Sequence, residues 1–219
     1  VLVNRLTGSR TIITRKMQTP PSLTYDQKLK LDDLAERLIA AEEPVTILID
    51  GHEPEISEYL IKKLPNARVV MDGGSLRASN IKLAAWTDYF VVSEHFARDY
   101  MSYRSLSTEA EIKAALIELN KICRGEAFIT LGEKGCAFLK SGMLQIVPSW
   151  LCNAVDTTGA GDVFHGAFTY GVHFSWHIDN IILFASLTAA ISIEKKGVRE
   201  SMPDLAVVHH SLNSYERNL

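Results

Sequence analysis

Apolar residues recur along this chain in two alternating rhythms. Val45 to Ile49 and Ala67 to Met71 are short apolar runs, and each leads into an Asp-Gly pair, Asp50-Gly51 and Asp72-Gly73. Such runs suit strands of a parallel sheet buried on both faces. Tyr89 to Val92 and Ala127 to Leu131 repeat the pattern, the latter ending at Gly132. Between these runs the spacing changes. Leu29, Leu34, Leu38 and Ile39 lie at helical intervals among charges, which predicts an amphipathic helix over 26–41. Pro54 is placed to open a helix over 55–64, and a short helix follows near 81–86. Ser93 is predicted to cap another helix, with Glu94 in its first turn. Ser107 is predicted to cap a longer one, with Glu109 and Glu111 early and Lys121 and Arg124 late. Two closing helices are expected, over 160–173 and 177–195, with Gly197 stopping the second.

Strands that alternate with helices mean an α/β fold with a mainly parallel sheet. Two further strands around Ser141-Gly142 read as a hairpin. A second hairpin is expected at the start, where Val1-Leu2-Val3 leads through Thr7-Gly8-Ser9 to Thr11-Ile12-Ile13. It stands outside the parallel pattern and reads as a small β flap over 1–15. Residues 16–24, with Pro20-Pro21, form a loop, and 16–219 form the α/β domain. Val1 lies inside a strand pattern, so the domain is expected to lack an N-terminal part and the chain by itself to lack activity.

Composition narrows the class. The 219 residues are 47% hydrophobic and 22% charged, which excludes a disordered chain, a collagen-like repeat and a disulfide scaffold. The net charge of −3 leaves no basic field for nucleic acid or anionic lipid. Cys123, Cys136 and Cys152 form no C-x-x-C pair and read as reduced thiols of a cytoplasmic protein. The longest apolar stretch, Ile181 to Ile193, includes Ser186, Thr188 and Ser192 and is too short for a membrane span, so it reads as a buried helix.

In an open α/β sheet, ligands bind beyond the carboxyl ends of the strands. Asp50-Gly51-His52, Asp72-Gly73-Gly74, Thr130 to Gly135 and Asp156 to Asp162 all fall after strands. The last is the most informative. Gly159 and Gly161 flank Ala160 at a helix start, where unpaired backbone N–H groups and the helix dipole attract an anion. Asp162 beside such a site would repel phosphate, which makes sense for a general base that takes a proton from an attacking hydroxyl. A P-loop is excluded because no lysine follows these glycines, and the G-x-G-x-x-G spacing fails at Phe164. A glycine-rich helix start used only for tight packing is the plain alternative.

The string Asp156-Thr157-Thr158-Gly159-Ala160-Gly161-Asp162, followed by Phe164-His165-Gly166-Ala167, closely resembles the signature of the ribokinase-like (PfkB) carbohydrate kinases. Thr130-Leu131-Gly132 with Gly135 resembles that family's nucleotide-site turn, and Lys196-Gly197 with Ser201 and Pro203 resembles its late loop. Gly8-Ser9-Arg10-Thr11 is similar to its lid strands. Asp72-Gly73-Gly74-Ser75 and Ser93-Glu94 are most similar to its ketohexokinase- and fructokinase-like members. The resemblance implies a three-layer α/β/α fold with a β lid, and ATP-dependent phosphorylation of a sugar hydroxyl. It implies Asp162 as base and substrate contact, and the amides of Gly159, Ala160 and Gly161 as anion hole. Thr130, Gly132, Gly135 and Ser186 would bind ATP. Asp156, Thr158, Ser192, Gly197 and Ser201 match positions that hold a monovalent cation, K⁺, and Glu94 would lie near Mg²⁺. Pairing of two copies through the lid is also implied.

Two departures from the family pattern stand out. The N-x-x-E motif falls at Ser93-Glu94-His95-Phe96, leaving Glu94 as the only carboxylate, and the first strand with its sugar-binding Asp is not in this sequence. A nucleoside kinase of the same family and a non-catalytic nucleotide-binding fragment are the alternative readings. Of the remaining candidates, His209-His210 read as solvent-exposed, His165 as packing, and His52-Glu53 as a turn or a substrate contact. Arg77 pairs with Asp72 or reaches a phosphate.

Overall fold

A computed structural model describes Leu2–Val3, Arg10–Thr11 and residues 22–216. The chain divides into two compact units. One holds residues 1–16, 132–136 and 147–219; the other holds 17–131 and 137–146.

The larger unit is built on a sheet whose order is β3-β4-β5-β6-β7-β8. β3 (Thr46–Ile49), β4 (Arg68–Asp72), β5 (Tyr89–Ser93) and β6 (Glu126–Thr130) are parallel, with Ile47 opposite Val69, Val70 opposite Tyr89 and Tyr89 opposite Glu126. β7 (Cys136–Lys140) and β8 (Met143–Val147) are joined by Ser141-Gly142, both at positive φ, as a two-residue hairpin turn requires. Val69, Met71, Phe90, Val92, Ala127 and Ile129 enter one apolar core. The alternate residues Val70, Val91 and Phe128 are also fully buried, so both faces of the sheet are covered, as the unbroken apolar runs require.

Among the described residues, five helices serve this unit. α1 (Tyr25–Ala40) starts with a capping box between Thr24 and Gln27. α2 (Pro54–Lys63) has Pro54 in its first turn, and α3 spans Ala78–Ala84. α4 (Glu94–Tyr100) is capped by Ser93, whose hydroxyl oxygen accepts from the Phe96 amide at 3.0 Å. α5 (Glu109–Ile122) is capped by Thr108 rather than Ser107. The reason is reciprocal: Thr108 Oγ1 accepts from the Glu111 amide while Glu111 Oε2 accepts from the Thr108 amide, and only Thr108 has a glutamate three residues on.

The smaller unit contains α6 (Ala160–His173), α7 (Ile178–Ser192) and α8 (Leu205–Glu216), together with the antiparallel pair β1 (Leu2–Val3) and β2 (Arg10–Thr11). That pair fits the expected opening hairpin; the rest of residues 1–15 lies outside the described residues. α6 begins and ends where the sequence predicts. α7 ends at Ser192 with Ile193 as its cap, so Gly197 (φ +88°) does not stop it but turns the loop beyond. α8 was not anticipated. It packs through buried Val208, and His209 lies against the rings of Trp176 and Phe184 (centroids 6.2 and 5.7 Å), while His210 is exposed. Among the described residues, no helix is long and apolar enough to cross a membrane.

Candidate active site

The Gly-rich turn and the first turn of α6 form the chemical centre of the smaller unit. Gly159 is the N-cap residue of α6 and has φ +76°. An L side chain there would be strained, and its Cβ would also overlap Val198 Cγ1. Among the described residues, the amides of Gly159 and Gly161 have no hydrogen-bond acceptor, while that of Ala160 makes a long bond (3.3 Å) to the Thr157 carbonyl. These are the N–H groups that every helix start leaves unpaired, and here they carry the dipole's positive end. A Cβ at Gly161 would meet nothing within 4 Å, so the space beside this amide is open. Asp162 occupies the same first turn with its side chain exposed.

Asp156 sets the conformation of the approach. Its Oδ1 accepts from the Thr158 amide (3.0 Å) and its Oδ2 from the Gly197 amide (3.3 Å), so one half-buried carboxylate joins the Gly-rich turn to the loop after α7. Thr158 Oγ1 is buried and has no hydrogen-bond partner among the described residues. A polar atom left so is costly unless something else satisfies it. The Ser192 hydroxyl donates to the Ala189 carbonyl (2.7 Å) and the Ser201 hydroxyl to the Val198 carbonyl (3.4 Å). Asp156, Thr158 and Gly197 are thus drawn into one cluster. Ser192 and Ser201 bond locally. His165, one turn beyond Asp162, is buried with Nδ1 2.6 Å from the Gly161 carbonyl oxygen, in keeping with a packing role.

Two further segments meet in this unit. Gly132–Lys134 is a 3₁₀ turn, with φ +61° at Gly132 and +102° at Gly135. A Cβ at Gly135 would overlap the Val147 carbonyl oxygen, so only glycine lets the turn approach the strand that closely. The Ser149 hydroxyl donates to the Glu133 carbonyl (2.5 Å), and the Trp150 indole N–H donates to the Leu183 carbonyl of α7 (3.1 Å). Ser186 lies one turn after Leu183 and is buried. Trp150 escaped sequence reasoning, because nothing in its neighbours announces a contact 33 residues away.

In the larger unit, Thr130 ends β6 and its hydroxyl donates to the Val92 carbonyl (3.3 Å), and Glu94 opens α4 directly after β5. Both therefore lie at carboxyl ends of parallel strands. Asp50 and Asp72 accept from the amides of His52 and Gly74, both at 2.9 Å, so these carboxylates shape their own turns.

Residues 74–205 match the pfkB family carbohydrate kinases. The chain belongs to this family. It is 29% identical over 192 residues to the ribokinase of Lactococcus lactis, a match that covers 86% of this chain and 60% of the relative. Among solved structures it resembles the ribokinase from Giardia lamblia, with TM-score 0.71, 23% identity and coverage of 84% of this chain and 62% of the other. It also resembles Arabidopsis thaliana ribokinase complexed with ribose and ATP, with TM-score 0.70, 22% identity and coverage of 88% and 60%. Structural likeness at this identity establishes the ribokinase-like fold, a mostly parallel sheet with flanking helices. The chain spans about three-fifths of the length of these pfkB-family relatives.

Proposed function

We propose that the protein transfers the γ-phosphoryl group of ATP to a sugar hydroxyl in the cytoplasm. The observation that carries this reading is the first turn of α6, where the unpaired amides of Gly159 and Gly161 and the carboxylate of Asp162 share one open helix start. In this reading Asp162 contacts the acceptor hydroxyl and takes its proton as the oxygen attacks. The amides of Gly159, Ala160 and Gly161 stabilise the charge that develops on the transferred group. Positioning and fixed dipoles do most of the catalytic work in such transfers. Thr130, Gly132, Gly135 and Ser186 contribute to the nucleotide site.

Magnesium supplies charge neutralisation on the nucleotide phosphates. Among the described residues, no three His, Cys, Asp or Glu side chains converge as a metal cluster. Glu94, the first residue of α4, is the carboxylate we assign to the ion's vicinity. A monovalent cation, K⁺, fits beside Asp156: the partnerless Thr158 oxygen and the Asp156 carboxylate are hard donors, and Ser192, Gly197 and Ser201 complete the proposed set. Two copies pair through residues 1–15, the segment that carries the β1–β2 pair, and light scattering tests that assembly.

The deciding experiment is ADP release by the full-length gene product with ketoses, aldoses and nucleosides offered in turn. Stoichiometric ADP and sugar phosphate are expected with a sugar. Turnover with nucleosides alone would replace the acceptor class, and failure to bind ATP would remove the reading.

A further inference from the structure

We propose that the turn between β4 and α3, Gly73 to Arg77, is an anion site that takes a phosphate or carboxylate group of a bound small molecule. It lies within the larger unit and uses residues that the function proposed above leaves unassigned.

The turn is held from behind by side chains of two neighbouring elements. Asn80, fully buried on α3, donates through Nδ2 to the carbonyls of Gly73 (3.4 Å) and Ser75 (3.2 Å). The Ser93 hydroxyl, at the end of β5, donates to the carbonyl between them, that of Gly74, at 2.6 Å. Asn80 is itself wedged: its Oδ1 lies so close to Gly51 that any Cβ there would overlap it. The carbonyls of Gly73, Gly74 and Ser75 are thus all turned toward Asn80 and Ser93. The peptides here are trans, and a trans peptide points its N–H opposite to its C=O, so the amides of Ser75 and Leu76 point the other way. Neither amide has an acceptor among the described residues, and both residues are exposed.

Arg77 adds the charge. The sequence leaves it two roles, pairing with Asp72 or reaching a phosphate, and the fold removes the first. Among the described residues its guanidinium makes no ion pair or hydrogen bond, while Asp72 Oδ1 is turned back onto the Gly74 amide (2.9 Å). The Ser75 hydroxyl likewise has no partner among the described residues. Two adjacent amides, a hydroxyl and an exposed guanidinium therefore sit on three consecutive residues beyond the carboxyl end of β4, the end at which open α/β sheets bind ligands. Successive backbone N–H groups with an arginine suit the oxygens of a phosphate or carboxylate, which the guanidinium can grip with two parallel bonds. A neutral sugar hydroxyl calls for no such charge. The anion can belong to the nucleotide or to an acidic acceptor, and the two are separable by experiment.

The test is titration of the isotope-labelled full-length gene product with inorganic phosphate, gluconate, fructose and ATP, followed by amide NMR. Phosphate and gluconate should shift the Ser75 and Leu76 amide signals, and fructose should leave them in place. Arg77→Gln should weaken the affinity read at these signals about tenfold, the scale of a lost hydrogen bond to a charged group. Arg77→Lys should recover part of that loss, because it keeps the charge without the planar fork. Melting should be native in both variants, since the side chain is exposed and makes no bond among the described residues. The ATP arm identifies the source of the anion. A similar loss of ATP affinity in Arg77→Gln assigns the site to a nucleotide phosphate; native ATP affinity beside weakened gluconate assigns it to an acidic acceptor. Ser75 and Leu76 signals indifferent to both anions would overturn the proposal. So would a fructose response as large as that to phosphate, or an Arg77→Gln variant with native affinity for every anion. The kinase reading is judged apart, by whether ATP shifts the Gly159 and Gly161 signals. A response there with none at Ser75 and Leu76 sinks the anion site alone, and the reverse result leaves the anion site standing without the kinase.

Discussion

The carboxylate of Asp156 is bonded to the amide of Gly197, 41 residues away, while its other oxygen holds the amide of Thr158. The two loops bordering the start of α6 thus share one charge. Replacing Asp156 with Ala removes both acceptors at a half-buried position. A loss of about 2 kcal/mol is expected, the range of hydrogen bonds to charged groups. Thermal melting measures it, and any stabilisation of the native chain by K⁺ over Li⁺ should disappear with the side chain. A variant as stable as the native chain would show that the two loops hold together without this link.

Asp162→Asn keeps the size of the side chain and removes the base. Turnover should fall about 10²-fold or more, while ATP affinity is kept or rises slightly as a negative charge leaves the phosphates' neighbourhood. Melting should change little, because Asn is also tolerated in a first helical turn. Turnover, affinity and melting on one sample separate this from a purely structural role, which would lower melting and spare turnover per folded molecule.

The two glycines of the turn should respond differently to alanine. Gly159→Ala puts a side chain at φ +76° and against Val198, so it should destabilise by about 1–3 kcal/mol whatever binds nearby. Gly161→Ala places its methyl in open space on a helix, so folding should be unharmed or slightly improved. If phosphate approaches that amide, nucleotide affinity should nevertheless fall. Comparing melting with ATP affinity for both variants checks the contrast, and an unchanged affinity in Gly161→Ala would move the phosphate elsewhere.

Alkaline pH should weaken the fold through its thiols. Burial pushes the Cys123 thiol up to about 11, and full burial raises that of Cys136 as well. An unfolded chain loses these protons near the ordinary thiol value, about 8.5, while the folded chain keeps them. Between those values the folded state binds more protons, so stability declines as pH rises from about 8.5 toward 11. Urea midpoints at stepped pH should show that decline, and Cys123→Ala should flatten it. For the same reason a thiol reagent at neutral pH should label Cys123 and Cys136 slowly in the folded chain.

Local chemistry made much of the molecule legible beforehand. Pro54, the Ser93 cap and the positive-φ pair Ser141-Gly142 act within a few residues of themselves, and each feature formed as expected. Where two local signals competed, the one with a reciprocal partner won: Thr108 has Glu111 and Ser107 has none at that spacing. α8 could have been anticipated, since Asp204, right after Pro203, is a residue type that favours helix starts; its carbonyl accepts from the Val207 and Val208 amides. The Gly-rich turn was legible because a left-handed helix cap packed against its neighbours needs glycine at a fixed place in the sequence. Trp150 and the partnerless Thr158 oxygen were not, for their significance lies in contacts, or their lack, that only the folded chain defines.

Among the described residues, the strands of the main sheet lie side by side in the order in which they are made, β3 to β8, with no strand inserted between earlier neighbours. During synthesis each new strand therefore meets a finished edge rather than a gap that has to reopen. Loop closures stay short, since each pairing joins consecutive strands, separated by one helix or turn or, between β5 and β6, by α4 and α5, and short-range pairing is what makes folding fast. The sheet can be laid down strand by strand from the ribosome, and its growing edge is the surface that chaperones would encounter.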